Sequence, residues 1–273
     1  VALDFVELSL MPANPKVMKW LRDTVAEYEL DLVAVLRKEG TSPAWPLSAK
    51  DADDLVAKLS AGGHLVPLPK EPAALANVLE VSLVDFILAR ADKARGVKAT
   101  RGSERGYPDI ELTGTAFGGG HHAIDIKNAR RSKSGRTTQS PITLYTGNTY
   151  FRYPTLLWPG TFRPFADYET HVDLLGIYTL DEGLPGRITD LELIVQEPWR
   201  IASKQRSSST REYIGAVKRI DDLRDGRGAF ADEQAFYDFW RKFRFKIGPT
   251  VQAQLDKLLL ASEAKKPVRA KRR

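Results

Sequence analysis

Asp109, Asp125 and Lys127 are the residues whose types and spacing first suggest chemistry. Tyr107-Pro108-Asp109-Ile110-Glu111-Leu112 is followed by a Gly-rich stretch and then by His122-Ala123-Ile124-Asp125-Ile126-Lys127. Both segments alternate like strands. Successive strand side chains take opposite faces, so Ala123, Asp125 and Lys127 share one face while Ile124 and Ile126 take the other. In the first segment Ile110 and Leu112 oppose Asp109 and Glu111. A hairpin centred at residue 117 sets Asp109 directly opposite Asp125, with Cβ atoms roughly 4.5–5.5 Å apart. Carboxylates that close repel unless a cation lies between them. Hard oxygen donors suit Mg²⁺, which keeps several waters and takes one or two protein carboxylates. Lys127, on the same face, would orient an attacking water, lower its pKa or stabilise a phosphorane-like transition state. The same acids also fit a solvated polar face. Acid-x-Lys triplets are common, and Glu263-Ala264-Lys265 is another, in a helical region.

Several elements must hold these residues. The apolar spacing of Val17, Trp20, Leu21, Val25 and Tyr28 predicts a helix over residues 15–39, from Pro15 to Gly40. A loop follows over 41–48, then a short helix over 51–60. The strongest helix is 73–94. Glu80 falls on its stripe of Ala76, Leu83, Val84, Ile87 and Ala91. A carboxylate there needs a partner or a shifted pKa; it meets an Arg, sits at a cleft rim, or completes a metal site. Asp85 on the same helix is expected in solvent. Residues 172–178 and 191–196 are further strands, and 232–243 and 249–263 further helices.

The chain has 273 residues, of which 42% are hydrophobic and 28% charged, enough for a sizeable core. It has no cysteine, which excludes disulfide scaffolds, thiol catalysis, iron–sulfur clusters and Cys-based zinc sites. His121 and His122 are adjacent and face opposite ways on a strand, a poor geometry for chelation. Gly118–Gly120 lacks the Lys-Ser/Thr of a phosphate loop. Trp158, Trp199 and Trp240 are expected in core or interface. No apolar run approaches the roughly 20 residues that span a bilayer. The first 25 residues show no secretory pattern, so a cytoplasmic protein is the default expectation. The net charge is +6, and Lys265, Lys266, Arg269, Lys271, Arg272 and Arg273 account for all of it. Within the body, cations cluster at Lys127, Arg130, Arg131, Lys133 and Arg136, and again at Arg200, Lys204, Arg206 and Arg211. The expected organisation is an N-terminal helical extension (1–50), a central domain (51–263) and a basic tail (264–273).

Pro108-Asp109 followed by Asp125-Ile126-Lys127 resembles the PD-(D/E)xK nuclease superfamily, and the wider match resembles EcoRV-type type II restriction endonucleases. Tyr107-Pro108-Asp109 and Ala123-Ile124-Asp125-Ile126-Lys127 keep that family's spacing, and Glu80 stands where its members carry an active-site glutamate on a helix. Ser60–Leu68, Arg163-Pro164-Phe165 through Gly176-Ile177-Tyr178, Trp199–Gly215, and Gly226–Phe243 with Phe239-Trp240-Arg241 also match in order, over roughly residues 58–245. The resemblance implies an α/β (α+β) fold, with a restriction-endonuclease-like core in which helices flank a central mixed β-sheet. It also implies DNA-binding and dimerisation subregions within 51–263, and a bacterial cytoplasmic setting. The implied activity is a homodimer hydrolysing palindromic double-stranded DNA with Mg²⁺, leaving 5′-phosphates and blunt ends. Asp109 and Asp125 would be metal ligands, Glu80 an auxiliary acid or a further metal ligand, and Lys127 the catalytic lysine.

The base-reading loop of the family aligns with Ser207-Ser208-Ser209-Thr210-Arg211-Glu212-Tyr213, where serines replace glycines. Arg211 and Glu212 suit a G·C pair, or else hold a phosphate and each other. Ser103-Glu104-Arg105-Gly106 falls at the minor-groove loop. Asn128, Arg130, Arg131, Thr149 and Lys204 complete the expected DNA contacts. Two other readings compete: a structure-specific repair or junction nuclease of the same superfamily, and a catalytically inactive DNA-binding module.

Overall fold

The computed structural model describes residues 13–30, 50–54, 57, 72–103, 106–146, 152–181, 187–208, 213–244 and 248–264. The expected loop over 41–48 and the basic tail after 264 lie outside them, and only parts of the 1–50 extension and the 51–60 helix lie inside.

α1 (Pro15–Val25) starts at Asn14, whose side chain accepts the Lys16 amide, with Pro15 in the first helical position. Val17, Leu21 and Val25 are buried. The helix ends at Val25, short of the expected continuation to residue 39. Beyond it Tyr28 leaves the helical path, and its hydroxyl lies 2.7 Å from the Ser82 hydroxyl. α2 (Pro72–Lys93) is the expected long helix and buries Leu75, Leu79, Leu83, Val84, Ile87 and Ala91. Asp85 ion-pairs with Arg101 at the surface.

The strands are β1 (Lys98–Arg101), β2 (Ile110–Thr113), β3 (His121–Arg130), β4 (Thr143–Thr146), β5 (Thr170–Leu180), β6 (Ile188–Gln196), β7 (Ala202–Arg206) and β8 (Tyr213–Ala216). They form a five-stranded sheet in the order β1-β2-β3-β5-β6 and a three-stranded sheet in the order β4-β8-β7. In the larger sheet β3 and β5 run parallel and the other neighbours antiparallel. Later helices are α3 (Pro198–Ile201), α4 (Ile220–Asp225), α5 (Glu233–Lys242) and α6 (Pro249–Ala264). Asp232 caps α5 by accepting the Ala235 amide.

Strand alternation splits the core in two. Ile110, Leu112, Ile124, Ile126, Val172 and Leu174 face α1 and α2. Ala123, Leu175, Ile177 and Ile194 face the small sheet, through Leu144, Ile214 and Ala216, and α5, through Phe236, Tyr237 and Trp240. The expected central mixed sheet flanked by helices is thus present. Trp240 and Trp158 are buried and Trp199 packs against the second core, as expected. β1, β4, β7 and β8 were not foreseen. All four are four or five residues long, and none carries a run of alternating apolar positions. Among the described residues no helix is long and apolar enough to cross a membrane.

Candidate active site

The hairpin register is the one the spacing required. Ile110 pairs with Ile124, Glu111 with Ala123, and Leu112 with His122. One further rung brings Asp109 opposite Asp125. Asp109 itself precedes β2, and two backbone amides fix it there. Gly102 donates to its carbonyl at 2.7 Å, and Ile126 donates to its Oδ2 at 2.6 Å. A side chain on Gly102 would place Cβ 2.0 Å from the Pro108 carbonyl, so only glycine admits this approach. The Tyr107–Pro108 peptide is cis, and the Tyr107 hydroxyl lies 2.6 Å from His171 Nδ1.

Asp125 is 5% exposed, and its Oδ2 lies 2.7 Å from Lys127 Nζ. Burial pushes the Asp125 carboxyl well up. Lys127 opposes that shift, while Asp109 and Asp173 add to it. For Lys127, burial pulls the ammonium pKa down, but Asp125 and Asp109 more than offset it, so the net shift is upward and the group stays charged. Glu80 is raised by burial first and then by Asp109, against Lys127. The four residues expected to act together therefore do share one electrostatic neighbourhood.

Asp173 belongs to the same neighbourhood and was missed. It is Asp125's partner in the parallel β3–β5 ladder, and so lies on the same face. It is 0% exposed, and neither carboxylate oxygen has a hydrogen-bond partner. Burial pushes its pKa up to about 8, Lys127 opposing and Asp109 reinforcing. The signal was available: an acid inside the otherwise apolar run Val172-Asp173-Leu174-Leu175 is costly to bury.

Glu111, two residues along β2 from Asp109 on the same face, is handled differently. It accepts from Arg163 Nε at 2.6 Å and Nη2 at 2.9 Å, with His121 Nδ1 at 3.4 Å. Burial raises its pKa, but the Arg163 hydrogen bond and charge outweigh that and hold it below the usual range.

The expected DNA contacts fall into separate groups. Asn128 lies on the α2 face, where its Nδ2 donates to the Ala76 carbonyl at 3.1 Å, one turn before Glu80. Arg131 is paired with Glu192 at 2.8 Å. Arg130 is half-buried at the end of β3, and Lys133 and Arg136 in the following loop are exposed. Ser103 is tied to the Gly160 carbonyl at 3.0 Å. Lys204 is exposed on β7, 5.8 Å from the Phe230 ring centre. Ser207 and Ser208 begin the β7–β8 connection, with Ser207 Oγ 2.7 Å from Thr143 Oγ1. Glu104, Arg105, Thr149, Ser209, Thr210, Arg211 and Glu212 lie outside the described residues. His122 is buried against Phe117 while His121 turns to Glu111, the opposite-facing pair expected.

The donor set fits a hard divalent cation. Asp109 keeps Oδ1 free of the Ile126 contact, Asp125 is opposite it, and both are acceptor-only oxygens when ionised. Among the described residues no three His, Asp or Glu side chains converge as a ready cage. A cation that keeps several waters does not need one.

Opposed carboxylates beside a lysine on a mixed sheet define a site suited to phosphodiester hydrolysis. The comparisons with known proteins agree: residues 43–259 match the family model "Restriction endonuclease EcoRV". The chain therefore belongs to the EcoRV restriction endonuclease family, whose activity is phosphodiester hydrolysis of DNA. It is similar to the type II restriction enzyme EcoRV of Escherichia coli, 24% identical over 207 residues, covering 70% of this chain and 82% of that enzyme.

Proposed function

We propose that the chain is a homodimeric, Mg²⁺-dependent endonuclease that cuts both strands of one palindromic DNA site, leaving 5′-phosphates and blunt ends. The observation that carries this reading is the Asp109–Asp125 opposition with Lys127 bound to Asp125 at 2.7 Å. Asp109 and Asp125 would hold the cation, with Glu80 as an auxiliary acid at the rim. When bound, the cation neutralises charge on the scissile phosphate and acidifies coordinated water. Lys127 remains protonated and places its ammonium against the charge that develops on the phosphoryl oxygens. A water oxygen bonds to phosphorus and releases a proton to solvent, the P–O3′ bond breaks, and the 3′-oxygen takes up a proton from solvent. The fixed Asp109 carboxylate, held by the Ile126 amide, needs no reorganisation during that step.

The β7–β8 connection from Ser207 to Glu212, with Arg211 and Glu212, is the proposed base-reading segment, and Lys204 at its base a phosphate contact. Ser103 to Arg105 is the proposed minor-groove segment, and Arg130 and Thr149 further phosphate contacts. Asn128 and Arg131 are better accounted for as supports of α2 and of Glu192. In domain terms, residues 51–263 form the nuclease, 264–273 a basic tail, and α1 of the N-terminal extension a part of the core.

The test is cleavage of unmethylated plasmid and phage DNA with and without Mg²⁺, wild type beside Asp109→Ala, with the fragment ends sequenced. Discrete fragments ending at one repeated palindrome, absent without Mg²⁺ and in the variant, are expected. A smear unaffected by the substitution would overturn the reading.

A further inference from the structure

Asp173 takes no part in the proposed cleavage step, yet its burial is costly. Its side chain is fully buried and both oxygens lack a donor. Its ladder neighbour on β6 is Gln196, whose amide nitrogen goes instead to the Arg224 carbonyl at 2.7 Å. Its neighbour on β3 is Asp125, another acid. The cation that acts on it is Lys127, which bonds to Asp125 and not to Asp173. A carboxylate kept in such a place implies an occupant that arrives.

A divalent cation on Asp109 and Asp125 would supply the reason for that occupant to move. It would compete for the Asp125 oxygen that Lys127 now holds and would repel the ammonium. Lys127 would then be half-buried and short of a counter-charge. Asp173 lies one strand beyond Asp125 on the same face. Asp109 is two strands from Asp173, roughly 9–10 Å by the strand spacing, so Asp173 is badly placed to join Asp109 around one ion. It is well placed to receive the lysine.

We propose that Asp173 is a positioning residue for Lys127: when a divalent cation occupies the Asp109–Asp125 pair, the ammonium passes from Asp125 to the empty carboxylate of Asp173. This rests on the reading of Asp109 and Asp125 as the cation pair. Asp173 keeps Lys127 aimed at the phosphate and lets the cation bind without stranding a buried charge.

The experiment compares wild type, Asp173→Asn, Asp173→Ser and Asp109→Ala, each as the full chain checked for cooperative unfolding. Three quantities are read: Ca²⁺ binding by calorimetry, the Lys127 side-chain ¹⁵Nζ resonance with and without Ca²⁺ (assigned by its loss in Lys127→Arg), and single-turnover cleavage with Mg²⁺. In wild type the Ca²⁺-loaded protein should show a shifted, exchange-protected Lys127 resonance. In Asp173→Asn that protection should be lost, Ca²⁺ affinity should fall because the displaced ammonium has no second carboxylate, and cleavage at saturating Mg²⁺ should fall by about 10–100-fold. Asp173→Ser, whose hydroxyl is uncharged and shorter in reach, should lower the rate further, with the same loss of lysine protection. A drop in Ca²⁺ affinity in Asp173→Asn with the Lys127 resonance of the Ca²⁺-loaded protein unchanged from wild type would make Asp173 a ligand of the cation and overturn the proposal. Unchanged cleavage and an unchanged lysine resonance would overturn it in favour of packing alone. If wild type neither binds Ca²⁺ nor cleaves DNA, and Asp109→Ala matches it, the cation-pair reading itself fails. That outcome is distinguishable from a failure confined to Asp173.

Discussion

Glu111 and Asp125 lie on one face of the central sheet, on neighbouring strands and two rungs apart, and both are less than a tenth exposed. Glu111 is gripped by both nitrogens of an arginine fork, and its pKa falls. Asp125 has only a lysine that it shares with Asp109 and Asp173, and its pKa rises. Burial is common to the two, so burial does not separate structure from chemistry here. The supply of positive charge does. Where the protein meets the full demand of a buried carboxylate, the pair is scaffold. Where it leaves a deficit, the site is built to take a further cation.

Removing each partner tests this division. Asp125→Ala should lower DNA cleavage by on the order of 10³-fold or more while the protein still folds cooperatively, since a group acting on transition-state charge is lost. Comparable cleavage by the variant would end the distinction. Glu111→Ala should instead act on stability. Stranding one partner of a buried pair costs about 3–5 kcal/mol, and about 3 is expected here because the Arg163 side chain is 24% exposed. Denaturant unfolding reads this directly. The double variant Glu111→Gln with Arg163→Met should cost less than Glu111→Ala, because no charge is then left alone.

The chemistry was more legible in the sequence than the scaffold around it. Period-two alternation and the position of the glycines fixed the register of Asp109 on Asp125, because a one-residue slip would have turned Ile124 and Ile126 out of the core. Glu80 was legible because it interrupts an apolar helical stripe. Asp173 was legible as an acid inside an apolar run but not as a neighbour of Asp125, because the pairing of β3 with β5 joins residues 48 positions apart and no local pattern announces a parallel register. Arg131 and Asn128 were read as DNA contacts from their closeness in sequence to Lys127. Alternation and the β3–β6 side of the fold instead deliver them to Glu192 and to the Ala76 carbonyl. Proximity along a strand carries a residue's position, but its partners come from other elements.

Glu233 in α5 offers a control on the comparison, since the charge that acts on it is Glu197 and not one of the site's acids. Burial, then the neighbouring Glu197, pushes its pKa up to about 7. A raised folded-state pKa means stability is lost as pH climbs from about 4.5 through 7. Glu111, with its pKa lowered, loses stability in the other direction, as pH falls below about 4.5. Glu233→Gln should therefore gain about 1–2 kcal/mol at pH 8 and nothing at pH 4, with DNA cleavage unchanged. Thermal unfolding across that range, beside a cleavage assay, checks both. A loss of cleavage would mean that a raised pKa alone marks function in this protein.

The smallest effect expected is at Asn128, where the two regions meet. Its amide nitrogen holds the α2 carbonyl of Ala76, but its Oδ1 is buried without a donor, and Gly176 opposite leaves room for it only by having no side chain. Asn128→Ala loses one hydrogen bond of about 1 kcal/mol and also relieves one unsatisfied acceptor. The net change in stability should thus stay below about 1 kcal/mol. Cleavage should respond more, by about 3–10-fold, because the lost contact lies one turn from Glu80 and small displacements of a catalytic group are expensive. If the rate holds while stability shifts, the packing of Leu79 and Leu83 is sufficient to place Glu80, and Asn128 belongs with Glu111 on the scaffold side. If the rate falls and stability holds, the boundary between scaffold and chemistry runs through this amide, on the face of β3 turned away from Asp125.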